Sequence, residues 1–134
     1  MSDLKANNNS SHSQAELIYV VDDEPMLLEL AAVILEPRGF KVRTFRDPDS
    51  AAQAFASAKP RPALIITDYS MHSTTGLDLI KSCRGIQPKQ RFLLVSGTVD
   101  EHIYRDSPFK PDRFLAKPYE AKQLVELVES LLRA

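Results

Sequence analysis

From Leu17 onward, short apolar runs alternate with amphipathic stretches. Leu17-Ile-Tyr-Val-Val21 is an unbroken apolar run rich in β-branched residues, the pattern of a strand covered on both faces. Pro25 suits a first helical turn, and the helix it opens places Leu27, Leu30, Ala31 and Ile34 on one face before Gly39 ends it. Lys41 to Phe45 predicts a second strand, and Pro48 opens a second helix carrying Ala51, Ala52, Phe55 and Ala56 until Pro60 and Pro62 stop it. Ala63 to Thr67 is a third buried strand, Gly76 to Arg84 a third helix, Arg91 to Ser96 a fourth strand and Arg113 to Ala116 a fifth. Leu124, Leu127, Val128 and Leu131 mark one face of a final helix. The connection between the last two strands breaks the rhythm. Asp100 to Tyr104 has room for a helical turn or two, but Pro108 and Pro111 forbid a long helix.

Strands alternating with helices, joined by right-handed crossovers, predict an α/β fold: a doubly wound, five-stranded parallel sheet between helical layers, with a short or irregular fourth helix. The stretch 1–15, polar and rich in Asn and Ser, reads as a disordered tail, and 16–134 as one domain. His12 lies in that tail and reads as a solvated side chain.

A net charge of -1, with Lys and Arg scattered among acids, argues against nucleic acid or an anionic membrane as partner, so a protein partner is expected. Cys83 is the only cysteine, which rules out an internal disulfide; it reads as a packed helix residue. No apolar run approaches membrane-spanning length and no secretory signal pattern opens the chain, so a cytoplasmic protein is expected.

In a doubly wound sheet, sites form at the carboxyl ends of the strands where strand order reverses. The residues predicted there are Asp22-Asp23-Glu24, Thr67-Asp68, Ser96-Gly97-Thr98 and Lys117-Pro118. Asp22 or Asp23 alone would serve as a helix cap. Capping does not explain the set. Three clustered carboxylates repel one another and favour protonation unless a cation intervenes, and an all-oxygen acidic site suits magnesium, which completes its coordination with water and phosphate oxygens. Lys117 then supplies a charge for a phosphate oxygen, Ser96 a hydroxyl donor, and Asp68 remains as the nucleophile.

The order of these residues, together with Met71 and Gly76 in the loop after Asp68, resembles the receiver domains of bacterial response regulators from Leu17 to Leu132. The resemblance implies a flavodoxin-like receiver fold of two-component signalling. It implies a magnesium ion held by Asp22, Asp23, Asp68 and the backbone carbonyl of Ser70. It also implies phosphorylation of Asp68 by a histidine kinase or histidine phosphotransfer protein, and a cis Lys117-Pro118 bond. Ser96 would move to the phosphate, Phe114 would be the switch aromatic that follows it, and Ser70 and Thr98 would flank the path of hydrolytic water. A stand-alone receiver of this kind is a regulator and not an enzyme, with output through a downstream effector protein or through onward phosphotransfer. His72 stands where many members of the family carry proline, and reads as a loop residue; Tyr119 reads as a packed aromatic and His102 as solvated.

Rival readings each lack a part. A haloacid-dehalogenase-type phosphatase would carry a second aspartate where Ser70 stands, and a flavin-binding fold would need a phosphate-cradling loop where the chain places acids. A receiver-fold interaction module that is no longer phosphorylated would have no need of the complete charged set.

Overall fold

A computed structural model describes residues 15–71, 74–98 and 100–133. The polar N-terminal stretch up to Gln14, with His12, and the loop residue His72 lie outside the described residues.

The strands are β1 (Leu17–Val21), β2 (Lys41–Phe45), β3 (Leu64–Asp68), β4 (Phe92–Ser96) and β5 (Arg113–Ala116). The helices are α1 (Pro25–Leu35), α2 (Pro48–Ser57), α3 (Gly76–Ile86) and α4 (Ala121–Arg133). All strand pairs are parallel, in the order β2-β1-β3-β4-β5. The order reverses between β1 and β3, so the carboxyl ends of these two strands flank the crevice where such sheets bind ligands.

Alternation along each strand divides the core. Ile18, Val20, Leu64, Ile66, Leu93, Val95 and Leu115 pack under α1 and α4, and Tyr19, Val21, Ile65 and Phe92 under α2 and α3. Both faces of β1, β3 and β4 are covered, which is why these three read as continuous apolar runs, while the edge strand β2 is largely exposed. Cys83 is buried in α3 with its thiol pushed up to about 12 by burial, which keeps it protonated and unreactive. Tyr119 packs against the first core layer.

Two details differ from the periodicity. The buried stripe of α1 is Leu28, Ala31 and Leu35, while Leu30, expected inside, is exposed along with Met26 and Val33. The helix PMLLELAAVIL is apolar on more than one side, so its phase is decided by packing and not by pattern. Likewise, in α2 only Pro48, Ala51 and Phe55 are buried; Ala56 faces solvent.

In place of a fourth crossover helix stands a single 3-10 turn, Glu101–Tyr104, opened by the Asp100 carboxylate accepting the His102 N–H at 2.9 Å. His102 is exposed, its Nδ1 3.0 Å from the Asp100 carboxylate. The segment that follows is fixed from α3: the Arg84 guanidinium donates to the Lys110 carbonyl at 2.6 Å and to the Asp112 carboxylate at 3.0 Å. That carboxylate also accepts the Phe92 N–H at 2.7 Å, tying the segment to the start of β4. Side-chain bonds here replace the backbone ladder that the prolines preclude.

Candidate functional site

Asp22 and Asp23 follow β1, Asp68 closes β3, Ser96 closes β4 and Lys117 follows β5, so the parallel sheet delivers all five to one rim. Carboxylate oxygens of Asp22, Asp23 and Asp68 lie within 4.8 Å of one another. The N-cap position open to Asp22 and Asp23 belongs to another residue. The N-cap of α1 is Glu24, with no side-chain cap bond, and Asp22 Oδ1 accepts only the Glu24 N–H, at 3.0 Å.

Lys117 reaches across the rim. Its Nζ donates to Asp22 Oδ2 at 2.8 Å and lies 3.3 Å from Asp68 Oδ1. The Lys117–Pro118 bond is cis, as the resemblance implies, and Gly97 leaves the stem room, since a Cβ there would stand 3.3 Å from the Lys117 Cβ. The Lys59–Pro60 bond is also cis.

The Asp68 carboxyl is raised to about 6, first by burial and then by repulsion from Asp22 and Asp23, with Lys117 pulling the other way. The pair acts reciprocally on Lys117: desolvation lowers its ammonium, but Asp22 and Asp68 outweigh that and hold it above the usual lysine range. A carboxylate cluster with Asp22 buried, Asp23 and Asp68 half-buried and one ammonium among them is short of positive charge. Its donors are all oxygen, which fits a hard divalent ion better than a thiolate- or imidazole-seeking metal.

Ser96 is buried beneath the rim, and its Oγ accepts the Thr98 N–H at 3.1 Å. Thr98 itself is exposed, as is Ser70 across the crevice, which bridges to Thr75 in the turn before α3. That turn is tight. The Gly76 N–H donates to the Tyr69 carbonyl at 2.7 Å, and a Cβ on Gly76 would stand 2.6 Å from the Asp68 carbonyl oxygen. Met71 is buried in the second core layer and anchors the loop. Phe114 is half-buried on β5, its ring centroid 6.3 Å from that of Tyr104 in the 3-10 turn.

The sequence pattern that defines the response regulator receiver domain matches residues 18–129. The chain belongs to that family. Among curated relatives, the receiver is 33% identical over 119 residues to the nitrogen assimilation regulatory protein NtrX of Azorhizobium caulinodans, covering 86% of this chain and 26% of the relative. It is 29% identical over 122 residues to the probable transcriptional regulatory protein TcrX of Mycobacterium tuberculosis, covering 90% and 51%. The chain thus spans at most about half the length of these two relatives. Among solved structures, TrrA of Thermotoga maritima, in complex with Mg2+ and BeF, superposes with a TM-score of 0.75 at 27% identity over 87% of this chain and 98% of that one. A receiver domain from Methanospirillum hungatei superposes at 0.82 with 20% identity, covering 90% and 95%, and bears on the fold alone.

The structure gathers Asp22, Asp23, Asp68, Ser96 and Lys117 as the receiver's sequence leads one to expect, with Ser70 and Thr98 at the edge of the crevice and Phe114 further along β5. What sequence reasoning missed is the partner of Lys117. Beside the phosphate oxygen it assigned, the ammonium is shared between Asp22 and Asp68 in the structure, and nothing in the sequence announces a contact across 95 positions. Among the described residues, no helix is long and apolar enough to cross a membrane.

Proposed function

We propose that the receiver takes a phosphoryl group onto Asp68 from a histidine kinase or histidine phosphotransfer protein, with a magnesium ion held by Asp22, Asp23, Asp68 and the Ser70 backbone carbonyl. The observation that carries this reading is the convergence of three carboxylates and one lysine ammonium at the point of strand reversal. Magnesium, when bound, neutralises the phosphoryl oxygens and the carboxylates that face them. The chain's own groups do the rest. An ionised Asp68 oxygen attacks the phosphorus, the phosphorus–nitrogen bond of the donor breaks, and the imidazole leaves with the electron pair and takes up a proton. Lys117 pairs with one phosphoryl oxygen, and Ser96 turns its hydroxyl toward another.

A protein donor is supported by the exposed apolar side chains of Met26, Leu30 and Val33 on the helix that begins just beyond the acidic pair. We expect the exchange in the cytoplasm, and a regulatory role without turnover of an external substrate. Output would follow Ser96: its movement leaves space for Phe114 to turn inward and release Tyr104, altering the 3-10 turn that an effector protein reads. Nucleic acid is not expected at this surface, because the chain has no basic surplus.

The test is incorporation of a single phosphoryl group from acetyl phosphate, followed by intact-mass analysis. The label should appear with magnesium and be absent with a chelator. Incorporation that is indifferent to the chelator, or none at all, would remove the reading.

The lifetime of the modified state should depend on access. Thr98 and Ser70 stand exposed on the rim, and neither has a carboxylate or amide to hold a water in line with phosphorus. Thr98→Leu is expected to slow loss of the label by at least about threefold by crowding that path. Equal decay in wild type and variant would show that water enters elsewhere.

A further inference from the structure

We infer that the amino-terminal edge of the sheet, opposite the carboxylate rim, is a docking groove for an acidic, extended peptide segment of a partner protein. The groove uses no residue of the phosphorylation site and stands apart from the function proposed above.

In a parallel sheet every connection from a helix into the next strand returns to the amino edge. Two of them supply the groove: residues 58–63, which lead from α2 into β3, and residues 87–91, which lead from α3 into β4. β3 and β4 are neighbours, so the two connections lie side by side, and between them run two adjoining depressions of 380 and 270 Å3 that share Pro62, Gln87 and Gln90. Lys59 and Arg61 line one, Lys89 and Arg91 the other, and Glu16 is the one acid among the lining residues. Four positive charges thus face one negative charge in a chain whose net charge is -1. Charge of one sign gathered in a concave surface draws in the opposite sign.

Two of the four cations are held in place. Arg61 Nε donates to the Phe55 carbonyl at 3.3 Å, and its guanidinium carbon stands 5.3 Å from the centroid of the Phe55 ring, which holds the side chain by Nε and keeps the terminal fork for a ligand. Arg91 is anchored by a bond to the Leu131 carbonyl near the end of α4. The floor between them is fixed as well. The Gln90 N–H donates to the Gln87 carbonyl at 3.0 Å, the Gln90 carbonyl accepts from Arg84 Nε at 3.0 Å, and the buried Gln90 amide donates to the Arg91 carbonyl at 3.2 Å. A site ordered before binding loses less entropy when it is filled. The chemistry of the lining selects the occupant. Guanidinium and ammonium groups bind carboxylates, and the exposed Gln87 amide offers both a donor and an acceptor to an extended main chain. None of the lining residues is aromatic, so the platform on which single-stranded nucleic acid stacks its bases is missing. Charged and amide side chains dominate where a small-molecule cleft is mostly apolar.

The test titrates the whole chain against a short fluorescein-labelled peptide of alternating glutamate and serine, read by fluorescence anisotropy at low salt. Wild type should bind it, and the double variant Lys59→Glu, Lys89→Glu should bind at least about fivefold more weakly. Both lysine side chains are exposed, so the variant should keep its fold, which an unchanged urea midpoint checks. The double variant Lys110→Glu, Lys122→Glu makes the same change of net charge at exposed positions outside the groove and should bind within about twofold of wild type. No binding by the wild type overturns the inference. So does an equal loss in the two variants, which would mean attraction to net charge alone. Binding of an oligothymidylate of the same charge as tightly as the peptide, or more tightly, would replace the acidic peptide with nucleic acid.

Discussion

Asp68→Asn is expected to stabilise the fold near neutral pH, by on the order of 2 kcal/mol in the presence of a chelator. The Asp68 carboxyl stands at about 6 in the folded protein against 3.8 when unperturbed, chiefly because burial disfavours its charge. As pH rises from ~4 to ~6, the folded state keeps a proton that the unfolded state has already released, so stability falls through that window and stays reduced above it. A carboxyl displaced this far costs the folded state roughly 3 kcal/mol once it is ionised, and some of that is given back when the variant deprives Lys117 of one partner. The asparagine carries no charge and avoids the cost. Urea denaturation of wild type and variant at about pH 7 should therefore show the variant unfolding at higher urea, with the difference shrinking toward about pH 4. A variant less stable than wild type at neutral pH would mean that the ion pair outweighs burial. A site that opposes its own fold is what a residue kept for chemistry looks like.

Gly76→Ala should be damaging, and Gly85→Ala, in the same helix, should not. A Cβ on Gly76 would lie 2.6 Å from the Asp68 carbonyl oxygen and 2.7 Å from Leu94 Cδ1, both inside ordinary contact distance. The first of these atoms is backbone at the end of a central strand and has nowhere to go, so α3 must retreat. Overpacking of this kind costs about 3 kcal/mol. At Gly85 nothing lies within 4 Å of the added carbon, and alanine there should gain up to about 1 kcal/mol through helix propensity. Opposite shifts of the two urea midpoints are expected, and Gly76→Ala should also slow phosphorylation, because the loop from Asp68 to α3 carries the Ser70 carbonyl. A Gly76→Ala midpoint at or above that of the wild type would contradict the packing.

How much of this was legible in the sequence depends on whether local pattern or packing decides each feature. The strands are short and apolar enough to be read almost to the residue, and β5 was predicted at the bounds it has. The charged set was legible because a parallel sheet sends the end of every strand to one edge, so Asp22, Asp23, Asp68, Ser96 and Lys117 could be gathered without knowing any side-chain conformation. The phase of α1 was not. With apolar residues on several sides, Leu30 and Leu28 compete for the core, and only the fit against β1 and α4 puts Leu28 inside. The irregular stretch after β4 was foreseen as a shortfall of helix, but its substitute, the Arg84 fork on Lys110 and Asp112, joins residues 26 and 28 positions apart and leaves no local trace. The shared position of Lys117 between two carboxylates is of the same kind.

In the proposed function Asp68 carries the phosphoryl group. An acyl phosphate is reduced by borohydride to an alcohol, which leaves a permanent mark on the acceptor and on nothing else in the chain. Wild-type protein treated with acetyl phosphate and magnesium, reduced in this way and mapped by peptide fragmentation, should carry the mark at position 68 and lose it in Asp68→Ala while the variant remains folded. A mark at another residue, or one that persists in Asp68→Ala, would mean that Asp68 is not the acceptor.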